Sequence, residues 1–470
     1  MLGFLSDLLY WFNNMVLVYF FSINTIYLLL ITVSFVYIRG QLKTKNVFDL
    51  SGIFQSDLYK PVSILSPAFN EEASIVASVR SLLNLEFPEF QVVVINDGST
   101  DRTLEVMIEE FELKPGNRYV PPVIDHKPIR AVYESERYPE LLVIDKENGR
   151  KADALNAGIN AASYDLVCAI DSDSVLESNV LQQMLRVFIE DDDCIAVGGI
   201  VRVANGCTFA NGELTDIAIS NNFWARIQVV EYLRAFLFGR VGWDYLNSLL
   251  IISGAFGVFD RNAVMRVGGY LHDTVGEDME LVVRLHRYYR EHNLDYKVRF
   301  VAEPVCWTEV PESGKVLARQ RNRWQRGFLD SMWRHKKMLF NPRYGHLGFF
   351  AVPFFLFFEG LGPIIEVAGY ITVIIALLTG AVNIQFAILF LTVAILLGVI
   401  LSLASVICEE MTFRRYPRIR DVLIMTLYAF IENFGYRQIH AWWRLRGVID
   451  FFRGNQEWGK MTRTGFKNKK

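Results

Sequence analysis

Two carboxylates stand two residues apart in Asp171-Ser172-Asp173, directly after the apolar run Leu166–Ile170. Carboxylates at i and i+2 leaving a strand converge on one cation, and hard oxygen donors suit Mg²⁺ or Mn²⁺ shared with phosphates. Such a pair alone is more often a solvated turn, so its company decides. Lys151, in Gly149-Arg150-Lys151-Ala152, opens a helical pattern, and a cation at a helix N-terminus is a natural seat for a phosphate. Phe69, in Pro67-Ala68-Phe69-Asn70-Glu71-Glu72, can stack on a nucleobase, and Asp97, in Asn96-Asp97-Gly98-Ser99, can accept from a base N–H or a ribose hydroxyl. Taken singly, these two stretches also read as an ordinary helix cap and a turn. Asp278, in Gly276-Glu277-Asp278, can deprotonate an acceptor hydroxyl or simply place acid in a first helical turn. In Gln320-Arg321-Asn322-Arg323-Trp324, Arg323 can pair with a diphosphate and the indole of Trp324 offers a flat face to a sugar ring.

The elements that must position these residues alternate. Val62–Leu65, Gln91–Ile95, Leu141–Ile144 and Leu166–Ile170 read as buried strands, separated by helical spacing over Glu72–Leu85, Arg102–Phe111 and Lys151–Ala162. Alternating βαβ order implies a mostly parallel sheet covered by helices, with ligands at the carboxyl ends of its strands. Gly116–Glu140, rich in proline and charge, is expected to be an irregular insertion, and Met279–Arg290 an amphipathic helix.

Of the 470 residues 52% are hydrophobic and 21% charged, a balance that excludes disorder and argues against a purely soluble chain. With 48 basic and 51 acidic residues no global basic field exists, so nucleic acid is not an expected partner. The five cysteines lack any CxxC spacing, which argues against a disulfide framework or zinc site and suits a reducing compartment. Met15–Ile38 carries no charge and is long enough to span a bilayer as an uncleaved anchor, with Arg39, Lys43 and Lys45 placing the chain after it in the cytoplasm. Apolar character returns over Leu347–Leu378, interrupted by Pro353, Glu359, Gly360, Gly362, Pro363 and Glu366, and over Ala381–Ile407. Val422–Trp443 is a weaker candidate because Glu432, Asn433, Arg437 and His440 fall inside it. Asn222–Gly239 and Trp324–Phe340 mix aromatic, aliphatic and basic residues as helices in a headgroup layer do, though helices packed on the sheet would share that pattern. The expected organisation is an anchor over 1–40, a cytoplasmic catalytic domain over 41–340, membrane and interface helices over 341–446, and a basic cytoplasmic tail over 447–470, without an appended regulatory domain.

In this order and at these separations, the motifs PAFNEE, NDGSTD, GRKADALN, DSDS, SGAFG, GED and QRNRW make the chain resemble the membrane-integrated family-2 glycosyltransferases, the group of cellulose, chitin, hyaluronan and poly-N-acetylglucosamine synthases. The resemblance covers Val62 to about Met338. It implies a GT-A domain binding a UDP-sugar, with Phe69, Glu71 and Asp97 holding the uridine and Lys151, Asp171 and Arg323 at the diphosphate. Asp173, with Asp171, would carry Mg²⁺ or Mn²⁺, and Asp278 would be the base of an inverting displacement. Gln320 and Trp324 would place the acceptor sugar, with Ser253, Gly254, Ala255 and Phe256 lining its end. Three departures stand out: Gly276 replaces a usual threonine, Asn96 a common aspartate, and Ala255-Phe256 differs from the cysteine-containing acceptor loop typical of cellulose synthases, which disfavours cellulose as the product.

With the apolar blocks, the resemblance implies an inverting, metal-dependent multi-pass enzyme of the cell membrane that extends a β-linked polysaccharide and passes it outward. Glu359, Glu366, Glu432 and Asn433 could line a hydrated path, or bond helix to helix. Transfer of a single sugar to a lipid acceptor is the alternative, and whether a further export or regulatory partner takes part stays open. A silent scaffold is disfavoured, because Asp97, Asp171, Asp173 and Asp278 are all retained.

Overall fold

The computed structural model describes residues 2–45, 59–210, 213–378 and 384–455. The chain forms two compact units. Among the described residues, one comprises Gly40–Ser220 and Leu246–Val310; the other comprises the N-terminal helix to Arg39, Asn221–Tyr245 and the chain from Pro311 to Asn455.

The first unit is built on strands β1 (Val62–Ala68), β2 (Phe90–Asn96), β3 (Leu113–Pro115), β4 (Ile129–Ser135), β5 (Leu141–Lys146), β6 (Leu166–Ile170), β7 (Ser174–Leu176), β8 (Cys194–Val203), β9 (Thr208–Ala210), β10 (Glu213–Asp216), β11 (Phe256–Asp260) and β12 (Lys297–Thr308). Ten of them make one sheet in the order β3-β4-β5-β2-β1-β6-β11-β8-β12-β7, while β9 and β10 pair separately. The centre, β5-β2-β1-β6, is parallel. Helices Ile75–Leu83, Thr103–Phe111 (with β3 and β4) and Arg150–Ala161 lie in the connections between these strands, as the alternating apolar runs require. Val92–Ile95 and Leu141–Ile144 are buried throughout, because a parallel strand is covered on both faces.

The segment Gly116–Glu140 is not wholly irregular, since β4 lies inside it and pairs antiparallel with β3 and β5. Near the sheet edge β4 is covered on one side only, so its charged residues resemble a loop in composition.

Among the described residues three helices, which lie almost wholly in the other unit, are long and apolar enough to cross a membrane: Trp11–Gly40, Leu347–Ala376 and Ile388–Thr412. The second is broken where its prolines and glycines fall, with wide π-helical turns at Leu347–Ala351 and Phe355–Gly360 before the regular helix Gly362–Leu378. Asn221–Tyr245 and Gly314–Arg334, although in sequence they lie within 41–340, group with these apolar helices and not with the sheet. Val422–Trp443 is two helices, Ile419–Ile431 and Arg437–Phe452, joined by a turn in which Phe434 and Gly435 leave helical geometry.

Glu359, Glu366 and Glu432 in this unit have protein partners. Arg444 Nη2 donates to Glu359 Oε2 at 2.9 Å, Tyr19 Oη to Glu366 Oε1 at 3.2 Å, and Arg234 Nη1 to Glu432 Oε1 at 2.6 Å. Asn433 Nδ2 donates to Ala429 O at 2.7 Å. Ionisable groups among apolar helices are stabilised by such pairing. Lys460, Arg463, Lys467, Lys469 and Lys470 of the expected basic tail lie outside the described residues.

Candidate active site

The carboxyl ends of β1 and β2 run into two loops that are stitched to each other. Asn70 takes the left-handed conformation, at φ +57°, which asparagine tolerates better than most residues. From there its Oδ1 accepts from Thr100 N at 2.8 Å, while its own N–H donates to Ser99 Oγ at 3.0 Å. Glu71 N donates to Thr103 Oγ1 at 2.8 Å, and Glu72 N to Asp101 Oδ2 at 3.2 Å. Most polar residues of these two motifs therefore hold the rim together. Phe69 remains 48% exposed, so its ring is available for stacking. The Glu71 carboxylate is buried and accepts from Ser74 Oγ at 2.6 Å.

Asp97 is 2% exposed, and both its carboxylate oxygens are engaged within the domain. Oδ1 accepts from Lys146 Nζ at 2.7 Å and Gly149 N at 3.0 Å, and Oδ2 from Arg150 N at 2.8 Å. The neighbouring Asn96 explains one departure from the family pattern. Its Nδ2 donates to Asp145 Oδ1 at 2.7 Å, where an aspartate would face another buried carboxylate.

Lys151 is the hub. Its Nζ lies 2.5 Å from Asp171 Oδ1, donates to Gly254 O at 2.9 Å, and stands 3.9 Å from Glu277 Oε1. Burial disfavours the ammonium, but Asp171, Glu277 and Asp278 outweigh that and hold its pKa above the usual lysine range. Gly254 N in turn donates to Asp278 Oδ2 at 3.0 Å, and Met279 N to Asp278 Oδ1 at 2.8 Å. Each oxygen of Asp278 so keeps a lone pair for a proton. One hydrogen-bonded path thus joins Asp171, Lys151, Gly254 and Asp278.

The SGAFG segment contributes mostly backbone. Ser253 Oγ accepts weakly from Ala255 N at 3.4 Å, and Ala255 O receives the Cys306 thiol at 3.6 Å. Phe256 is wholly buried, its ring lying over Gly199 and so inside the core. Asp171 and Asp173 supply hard oxygen donors of the kind Mg²⁺ and Mn²⁺ prefer. Among the described residues no group of three or more His, Cys, Asp or Glu is arranged to hold a metal, so a cation here would draw its other ligands from phosphate and water.

Gln320, Arg323 and Trp324 lie on helix Gly314–Arg334 of the other unit. There the Arg321 guanidinium sits 4.2 Å from the Trp324 ring centroid, and its Nη2 donates to Glu231 Oε2 at 2.8 Å. Tyr436 Oη donates to the same oxygen at 2.9 Å. Gln320 Oε1 is buried with no hydrogen-bond partner among the described residues. Sequence reasoning missed Lys146 and Asp153, which meet as a buried ion pair, and the Arg321–Glu231 pair. The spacing of a lysine ending one strand and an aspartate within the next helix was the available sign for the first, and nothing local marked the second.

Comparison with known proteins agrees with this architecture. Residues 63–264 match the model described as "Glycosyl transferase family 2", and residues 166–406 match "Glycosyl transferase family group 2". A poly-beta-1,6-N-acetyl-D-glucosamine synthase of Staphylococcus epidermidis is 28% identical over 267 residues, 57% of this chain and 54% of that protein. Its counterpart in Staphylococcus aureus (strain COL) is 28% identical over 284 residues, 60% of this chain and 56% of the relative. The chain so spans about half the length of the curated relatives it matches. The mannosyltransferase PcManGT from Pyrobaculum calidifontis, solved in complex with GDP-Man and Mn²⁺, superposes with a TM-score of 0.51 at 14% identity, covering 94% of this chain and all (100%) of its own, a likeness of fold alone. Since the second family model alone spans more than half of the 470 residues, from the sheet into the apolar helices, the chain belongs to the glycosyl transferase family group 2.

Proposed function

We propose that this chain is an inverting, metal-dependent membrane glycosyltransferase that moves a sugar from a UDP-sugar to the growing end of a β-linked polysaccharide. The observation that carries the reading is the path Asp171–Lys151–Gly254–Asp278, which puts a cation fit for a diphosphate next to a carboxylate fit to be a base.

In this reading Phe69 stacks on the uracil, while Glu71 and Asp97 shape the nucleoside end of the crevice. Lys151 meets the diphosphate, with Arg323 as a second cation for the same group. Asp171 and Asp173 hold Mg²⁺ or Mn²⁺, which when bound neutralises charge on the leaving diphosphate. Asp278 takes the proton of the acceptor hydroxyl as that oxygen attacks the anomeric carbon from the face opposite the leaving group. Gln320 and Trp324 orient the acceptor sugar, the buried Oε1 of Gln320 being ready to accept from a hydroxyl. The backbone of Ser253–Phe256 lines its end.

The relatives are named for a polymer of β-1,6-linked N-acetyl-D-glucosamine, so UDP-N-acetylglucosamine is the first donor to test. Arg39, Lys43 and Lys45 after the first apolar helix favour a cytoplasmic catalytic domain in a cell-membrane protein of three or more spans. The test is incubation of the detergent-purified protein with labelled donors and Mg²⁺ or Mn²⁺, then sizing of the product. A high-molecular-mass product from one donor supports the proposal. A single low-mass, lipid-soluble product moves the chain to lipid glycosylation.

A further inference from the structure

Lysine is almost never fully buried unless its charge is met. Lys146, the last residue of β5, is 0% exposed. Its ammonium lies 2.7 Å from Asp97 Oδ1 and 2.5 Å from Asp153 Oδ1, and donates to Glu147 O at 2.5 Å. Both aspartates are 2% exposed. Two buried carboxylates against one ammonium leave a negative charge, and backbone N–H groups answer it. Gly149 N and Arg150 N donate to Asp97, and Lys127 N donates to Asp153 at 3.0 and 3.1 Å.

Those bonds fix a short, demanding stretch of chain. Arg150 stands at φ +73°, a conformation a non-glycine residue keeps only where its surroundings impose it. Gly149 has no room for a side chain, because the Asp153 carboxylate occupies the place of a Cβ. Gly98, at φ +67°, lets Asn148 come so close that a Cβ there would lie 2.9 Å from Asn148 N. Asn148 Nδ2 closes the turn by donating to Asp97 O at 2.7 Å. The next residue after Arg150 is Lys151, the hub of the candidate site.

We infer that Lys146 is a positioning residue for donor binding: its buried ammonium, clamped between Asp97 and Asp153, holds the 147–150 turn so that Lys151 faces the nucleotide diphosphate. Asp97 then serves the nucleotide through this turn rather than by its own carboxylate, whose oxygens are already occupied. The inference rests on the proposed binding of a UDP-sugar donor.

The experiment is calorimetric titration of UDP into the detergent-purified full chain, with donor KM and kcat from UDP release. Lys146→Met should raise donor KM and UDP Kd about 10-fold or more, leaving kcat at saturating donor within about threefold and product length unchanged, because the loss falls on ground-state and transition-state binding alike. A folded Lys146→Met protein with wild-type UDP affinity would overturn the inference. Should the two uncompensated carboxylates prevent folding, Asp153→Asn decides: it keeps the Lys146–Asp97 pair, and several-fold weaker UDP binding is expected. UDP affinity equal to wild type in Asp153→Asn also overturns the inference. A wild-type protein that binds no UDP overturns the donor reading itself and takes this inference with it, so the two failures are distinct.

Discussion

Replacing Gly254 by alanine adds one methyl group at the junction of the proposed donor and acceptor chemistry. Gly254 is not among the glycines with positive φ, so alanine meets no backbone strain there and the effect is steric. The new Cβ would stand 2.9 Å from Lys151 Nζ and 3.4 Å from Cβ and Oδ2 of Asp278. The contacts to Asp278 are tolerable; the one to Lys151 is too close by about 0.5 Å against ordinary van der Waals separation. Lys151 has a flexible stem and will move, and moving it weakens the bonds to Asp171 Oδ1 at 2.5 Å and Gly254 O at 2.9 Å. A hydrogen bond to a charged group contributes about 1.5–3 kcal/mol. Its loss at the diphosphate corresponds to about a 10- to 100-fold fall in kcat/KM. The assay is the initial rate of UDP release over a range of donor concentrations, with the thermal midpoint as a control for folding. In a Lys151→Ala background the methyl has room, so adding Gly254→Ala should change kcat/KM by less than about twofold, a coupling expected only of residues in contact. Wild-type kcat/KM in the single variant, or full additivity in the double variant, would refute the reasoning.

The same geometry sets other outcomes. Asp278→Asn should lower kcat by about 10²- to 10⁴-fold, the range of general-base catalysis, while UDP affinity stays within about threefold; loss of UDP binding would remove Asp278 from the base role. Trp324→Ala should slow transfer or shorten the product more than it weakens UDP affinity, and an unchanged rate and product length would make Trp324 a structural partner of Arg321. His286 is buried between Leu249 O and Tyr296 Oη, and burial lowers its pKa to about 4. Between that value and the unfolded value near 6.5 the unfolded chain binds the extra proton, so this stabilisation is complete above about pH 6.5 and about 3 kcal/mol of it is lost as the pH falls to 4. The thermal midpoint of His286→Gln should therefore drop less steeply between pH 6.5 and 4 than that of wild type, and parallel curves would contradict the assignment.

Legibility in the sequence divides along physical lines. Val62–Leu65, Gln91–Ile95 and Leu166–Ile170 could be read because a strand buried on both faces is a near-continuous apolar run, and the two polar residues within them, Ser63 and Gln91, bond to each other. The break in Leu347–Leu378 could be read because Pro353, Gly360 and Gly362 are the residues that interrupt helices. β4 could not, because a strand near a sheet edge carries charge on its open side and mimics a loop. In the candidate site, the types and order of Lys151, Asp171 and Asp278 pointed to phosphate and proton chemistry, and these residues share one hydrogen-bonded path. The side-chain direction of Phe256 and the partners of Asp97 were not legible. The first depends on which face of β11 a residue takes, and the second on a lysine 49 positions away that only the register of β2 against β5 brings alongside. The Arg321–Glu231 pair, 90 positions apart, was hidden for the same reason.

The most direct test of the central claim is the anomeric configuration of the product. A donor whose sugar is α-linked to UDP would be turned over by the purified protein, and the new linkage read from the anomeric proton coupling by NMR. The expected product is a β-linked saccharide that lengthens with time and whose yield collapses with Asp278→Asn. An α-linked product, or an unaltered yield from Asp278→Asn, would contradict the central claim.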